Sequence, residues 1–180
     1  TKDKAVRTLE DLKGMKIRVT SKSDVPIVEA LGASAVAQPV TVINQNLANG
    51  VIDGIMIDPS AIGAFKLFEP ANYVTTWFPG SGSAFVLLMN KDVYNKLSAE
   101  EKGWVDAAAN ADLSLGAGKA YDAASARGIG AAKKNGNEMI ELSDAEKAKF
   151  QAKVDEVMAK LSSKPVGDST IGQMMAKMTG

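Results

Sequence analysis

Apolar positions change period along the chain. Met15-Lys16-Ile17-Arg18-Val19-Thr20 alternates between Gly14 and Ser21-Lys22-Ser23, which predicts a strand. Asp24 to Leu31 reads as a short helix, with Asp24 as N-cap and Gly32 as its stop. Ala35 to Gln38 is a brief strand ending at Pro39, and Thr41 to Ala48 is a second short helix closed by Asn49-Gly50. Ile52 to Ile57 is a strand interrupted by Asp53-Gly54, and Pro59 opens a helix to about Leu67. Tyr73 to Phe78 and Ala84 to Met89 are two further strands, joined by a glycine-rich bend or hinge, Pro79-Gly80-Ser81-Gly82-Ser83. This rhythm predicts an α/β lobe: a mixed, mostly parallel sheet with helices on its faces.

The remaining half is helical in pattern. Ser98-Ala99-Glu100-Glu101 is a capping box, and helix-compatible sequence follows to Lys134, where Asn135-Gly136 ends it. Trp104, Ala108, Ala111 and Leu115 form an apolar stripe at helical spacing. Ser143-Asp144-Ala145-Glu146 is a second capping box, opening a helix whose inner face is Phe150, Val154, Val157, Met158 and Leu161. A short helix over about Ser169 to Met178 closes the chain. The expected division is an α/β lobe over 1–97 and a helical segment over 98–180 packing on it. An unbroken helix from Ser98 to Lys134 would be roughly 55 Å long at about 1.5 Å per residue. A domain of this size is only about 40 Å across. The helix is therefore expected to bend, with Gly116, Gly118, Gly128 and Gly130 as candidate breaks, and to lie across something larger.

Composition narrows the chemistry. The 180 residues carry 21 Lys+Arg against 21 Asp+Glu, with no His and no Cys. A balanced charge gives no reason to expect nucleic acid as a partner. Without His or Cys there is no Ser-His-Asp triad, no thiolate nucleophile and no zinc site of the usual ligands. Asp53-Gly54 reads as a turn element, since no carboxylates follow at calcium-loop spacing. No metal and no cofactor is expected. The longest apolar run, Ala84 to Met89, is too short to cross a bilayer. Thr1-Lys2-Asp3-Lys4 has no apolar signal region and no initiating Met, so the chain is expected to be a processed or excised piece whose signal peptide is not present.

Three blocks taken in order resemble a known family: Leu12-Lys13-Gly14-Met15-Lys16-Ile17-Arg18-Val19, Leu47-Ala48-Asn49-Gly50-Val51-Ile52-Asp53-Gly54, and Phe85-Val86-Leu87-Leu88-Met89-Asn90. They look like the solute-binding proteins of TRAP (tripartite ATP-independent periplasmic) transporters, the DctP family. The Leu97-Ser98 helix start follows where that family has it. The resemblance covers only the second part of such a protein, and the first lobe is absent. It implies a non-enzymatic, two-lobed clamp that captures a small organic acid in the periplasm and delivers it to membrane permease subunits. It also implies a long helix crossing both lobes.

Arg18 sits near the C-terminal end of the first strand, where crevices of open α/β sheets form. Its planar guanidinium can hold a carboxylate through two parallel hydrogen bonds. The family's carboxylate-binding Arg falls in this Lys-Ile-Arg-Val motif, so the resemblance gives that role to Arg18. The residues alone also allow a surface ion pair. Asp58 is a ligand contact by resemblance and an N-cap of the helix at Pro59 by local pattern. Trp77 and Phe78 can wall a small-molecule site or pack in the core; on a strand at most one would face a cleft. Thr20 and Ser21 offer hydroxyls beside Arg18, or turn chemistry. Where the family usually has an acidic residue at the start of a helix, this chain has Val42, which points to a less polar monocarboxylate. Two other functions stay open: a lobe that self-associates as an interaction module without ligand, and an enzyme working through Asp53 and Asp58. A homodimer or a separate first lobe are the protein partners open to such a chain.

Overall fold

The computed structural model describes residues 1–78 and 85–179. Its elements are, in order, β1 (Lys16–Val19), α1 (Val25–Ala30), β2 (Ser34–Ala37), α2 (Ile43–Ala48), β3 (Gly54–Ile55), α3 (Ser60–Ala64) and β4 (Tyr73–Thr75). After these come α4 (Lys91–Lys96), α5 (Ala99–Ala108), α6 (Ala111–Asn135), β5 (Glu138–Ile140) and α7 (Asp144–Ser162). The chain closes on β6 (Pro165–Val166), β7 (Ser169–Thr170) and α8 (Ile171–Thr179).

Parallel strands β2-β1-β3 form one sheet, parallel β4-β5 a second, and antiparallel β6-β7 a small hairpin. In register, Arg18 lies between Val36 of β2 and Ile55 of β3. Strand side chains alternate faces. Ile17 and Val19 therefore enter the main core with Leu12, Val28, Leu31 and Phe150, while Arg18 points to the other side. Helix α7 covers that core with Phe150, Val154 and Val157 buried and Met158 and Leu161 packed against it, the face expected from its period.

The local rules act at the helix ends. Ser98 and Glu101 close both halves of their capping box, Glu101 N–H donating to Ser98 Oγ at 3.2 Å and Ser98 N–H to the Glu101 carboxylate at 2.8 Å. Ser143 caps α7 in the same way, but the Glu146 carboxylate turns elsewhere, accepting from Leu9 N–H at 3.0 Å. Asp24 holds the N-cap position of α1, as expected, but its side chain makes no cap bond. Its carboxylate accepts from Ser21 N–H at 3.0 Å, so a 3-10 turn over Lys22–Asp24 precedes the helix. Gly32 and Gly136, at φ 92° and 89°, stop α1 and α6 as predicted, since the left-handed conformation there is open to glycine.

The expected strand Ile52 to Ile57 is reduced to Gly54–Ile55, the helix from Pro59 ends at Ala64, and three further expectations need correction. The long helix is interrupted at Ala109-Asn110, not at a glycine: Asn110 adopts an extended conformation and its side chain accepts from Leu113 N–H at 2.9 Å, starting α6 afresh. Phe85 to Met89 forms no strand and is exposed throughout, Leu87 at 90%. The predicted strand from Tyr73 ends at Thr75, short of Trp77 and Phe78. The expected hinge at Pro79 to Ser83 lies outside the described residues.

Burial divides the chain unevenly. Among the described residues, buried positions fall between Val6 and Ala71 and again between Gly128 and Val157, with none from 72 to 127. The expected stripe of α5 and α6 is uncovered, with Trp104 64% exposed. At its other end α6 is gripped by α3, where Gly128 faces Gly63 backbone to backbone. No helix of the described residues is long and apolar enough to cross a membrane.

Candidate functional site

Arg18 lies in the second half of β1, and Thr20 and Ser21 follow directly on the end of that strand. Arg18, 1% exposed, is one of the largest side chains enclosed in the lobe. Its Nε and Nη2 both donate to the Gln38 backbone carbonyl, at 3.0 and 2.7 Å, and Nη1 donates to Thr20 Oγ1 at 3.2 Å. Gln38 is itself held, its side-chain oxygen accepting from Asn46 Nδ2 of α2 at 2.8 Å. Among the described residues no carboxylate bonds to the guanidinium. Burial pulls the Arg18 pKa down from its ordinary value, and the charge of Asp24 partly restores it. Arginine nonetheless stays protonated in proteins.

That arrangement has a chemical meaning. An enclosed cation with no carboxylate bonded to it favours an anion that can reach it. The three bonds leave one N–H on each terminal nitrogen, the pair that two parallel bonds to a carboxylate require. At 1% exposure the guanidinium meets almost no solvent, so an anion reaching it must displace its cover.

The neighbouring candidates divide. Thr20 is exposed and its hydroxyl already accepts from Arg18. The Ser21 hydroxyl bonds to Ser23, which is turn chemistry. Asp58, three residues beyond Ile55 on the same sheet edge, accepts from Ser60 N–H at 2.8 Å at the start of α3 and from Ser125 Oγ of α6 at 3.5 Å. Its carboxylate thus ties the two helices together. Trp77 and Phe78 are half-buried and both pack on the main core, the cluster on the far side of β1 from Arg18, with Phe78 edge-on to Phe150 at 6.0 Å. Asp53 anchors the start of β1, accepting from Lys16 N–H at 2.7 Å. Among the described residues no group of three or more acidic side chains could hold a metal ion. Gln38 and Asn46 escaped sequence reasoning. A backbone carbonyl leaves no mark in side-chain pattern, and only the parallel crossover brings residue 38 beside residue 18.

The fold is that of the periplasmic solute-binding lobes of TRAP binding proteins, parallel strands with helices on their faces. The chain is a member of bacterial extracellular solute-binding protein family 7, DctP, whose model matches residues 1–164. It is 30% identical over 165 residues to the uncharacterized protein YiiZ of Salmonella typhimurium, covering 89% of this chain and 48% of that protein. A marine metagenome TRAP solute-binding protein specific for aromatic acid ligands, solved with metahydroxyphenylacetate, is 32% identical with a TM-score of 0.80, over 89% of this chain and 51% of that one. A TRAP periplasmic solute-binding protein from Xanthobacter autotrophicus Py2, solved with β-D-galacturonate, is 31% identical with a TM-score of 0.75, over 89% and 53%. The chain thus spans about half the length of these relatives. Family and fold neighbours are transport-associated binding proteins.

Proposed function

We propose that this chain is the carboxylate-gripping part of an extracytoplasmic solute-binding protein, serving the membrane permease subunits of a TRAP transporter from the periplasm. The observation that carries the reading is Arg18: a buried guanidinium, held by Gln38 and Thr20, with two N–H groups to spare and no carboxylate bonded to it among the described residues. The ligand's carboxylate supplies that bonded charge. Thr20 and Asp58 edge the same end of the sheet and Ser21 makes the turn beside it, while Trp77 and Phe78 pack in the core on the other face.

The ligand is a less polar monocarboxylate, of the aromatic-acid kind. Val42, at the position where the family usually has an acid, is exposed and offers no hydrogen bond to a sugar hydroxyl. The aromatic-acid specificity of the marine relative supports this choice. The core residues of 1–78 and 128–161 make up one lobe, and the uncovered stretch 85–123 is the surface on which a first lobe rests. That stretch also favours a second reading, in which isolated chains self-associate through it as a homodimer.

Calorimetry on the chain and on Arg18→Ala, with benzoate, galacturonate and a C4-dicarboxylate, tests the reading. Benzoate heat that vanishes in the variant is expected. Equal binding by both chains would remove Arg18 from the site, and tighter binding of galacturonate would overturn the ligand class.

A further inference from the structure

Arg18 is gripped by a residue just past the paired part of the neighbouring strand. The register of β1 with β2 ends at Val19 and Ala37, and Gln38 follows. Its carbonyl takes Nε at 3.0 Å and Nη2 at 2.7 Å, which occupies one side of the guanidinium fork. What fixes Gln38 comes from another element. Asn46 of α2 donates from Nδ2 to the Gln38 side-chain oxygen at 2.8 Å. The Asn46 carbonyl accepts from Val51 N–H at 2.9 Å and from Ile52 N–H at 3.4 Å, in the turn that leads to β3. One residue thus joins the end of β2 to the approach of β3, the two strands that flank Arg18. Its own frame is firm. Ile43 and Leu47 of α2 are fully buried, and Asn44 donates to the Phe65 and Lys66 carbonyls at 3.0 and 2.9 Å. Pro39 confines the Gln38 backbone to extended conformations, so a tether on the side chain also steadies the carbonyl.

We infer that Asn46 is a positioning residue for the carboxylate site, acting through Gln38 to hold the Arg18 guanidinium with its free Nη1 and Nη2 hydrogens paired toward the ligand. The inference rests on the reading of Arg18 as the carboxylate anchor. A guanidinium free to swing would spread its N–H groups over several directions and lose the geometry that two parallel bonds need. With the Gln38 carbonyl on one side and Thr20 Oγ1 at 3.2 Å from Nη1, one orientation is selected before a ligand arrives. Preorganisation of that kind raises affinity by removing an ordering cost.

The test cuts the tether from either end, with Asn46→Leu and with Gln38→Met, which removes the side-chain amide and keeps the backbone carbonyl. Hydrogen exchange at Arg18 Nε–H, followed by heteronuclear NMR in the chain without ligand, is the first readout. Each variant is expected to speed that exchange roughly fivefold or more, and the double variant to go no further than the singles, since all three lose one bond. Benzoate affinity, by calorimetry, is expected to fall in step. A role confined to the stability of α2 would lower the melting temperature and leave Nε–H exchange within about twofold of wild type, which would overturn the inference. Effects that add in the double variant would overturn it as well, by putting the two side chains on separate routes. The exchange measurement needs no ligand, so the two readings fail separately. Unchanged exchange with benzoate binding lost in Arg18→Ala removes the positioning role alone, whereas binding that survives Arg18→Ala removes the anchor on which it rests.

Discussion

Gly128 of α6 lies so close to Pro59 that a Cβ at position 128 would come within 2.1 Å of the Pro59 carbonyl oxygen. The obstacle is backbone, which cannot rotate away as a side chain can. Gly128→Ala is therefore expected to force α3 and α6 apart and to destabilise by about 1–3 kcal/mol, the range of overpacked cores. Gly130→Ala, one half-turn on with nothing within 4 Å, should instead gain roughly 0.5–1 kcal/mol from helix propensity. Thermal denaturation of the two variants separates them. Similar shifts would show that the close approach is not the cause.

Asn137 fastens the end of α6 to the turn before β4. Its Nδ2 donates to the Phe68 carbonyl at 3.1 Å and also to the Ala71 carbonyl, and the residue is buried. Asn137→Ala strands the Ala71 carbonyl, while that of Phe68 keeps Asn135 Nδ2 at 2.9 Å, and should cost about 1–3 kcal/mol by denaturant unfolding. Asn137→Asp should cost more, because it faces those carbonyls with an acceptor. An aspartate variant as stable as the wild type would refute this role.

Glu146 links α7 to the chain before β1. The Lys149 ammonium, followed by the Leu9 N–H, holds its carboxyl below the ordinary value of 4.5. A group with a depressed folded pKa contributes stability that is fully present above its unfolded value. The contribution is lost as pH falls through the lower folded value. Wild type should therefore lose thermal stability on acidification below about pH 4.5 more steeply than Glu146→Gln. Parallel melting curves against pH for the two chains would contradict it.

Arg18→Lys keeps the charge but loses the planar fork. Lysine is not a conservative replacement where two parallel bonds are made. Its affinity for benzoate is expected to fall on the order of tenfold or more, measured by calorimetry, with the fold retained by circular dichroism. Undiminished affinity would mean that the charge alone is recognised.

Much of the lobe was legible because its signals are local. Alternation at 15–20, the glycine stops at 32 and 136, the Ser98–Glu101 box and the inner face of α7 each depend on neighbours within one or two turns. β5 was missed: three residues between two helices carry too little pattern, and pairing with β4 makes them a strand. The break falls at Asn110 and not at any of the four glycines, because a capping asparagine restarts a helix more decisively than a glycine weakens it. Of the site, Arg18 was legible from its place at a strand end and from family resemblance. Its hold on Gln38, twenty residues away, was not.

Phe85 to Met89 shows where sequence stops. Five consecutive apolar residues say that something must cover them, since leaving them in water is unfavourable by roughly 25 cal/mol for each Å². They do not say what the cover is. In the same way, the β/α rhythm along the 180 residues determined an α/β lobe, and the lack of His and Cys left the chain without the parts of the usual catalytic triads. Hydrogen-bond periodicity and capping act over a few residues and need nothing else. Which guanidinium is enclosed without a bonded carboxylate, and which carbonyl holds it, were decided only by tertiary structure. Those properties are made by residues that the chain brings together from tens of positions apart.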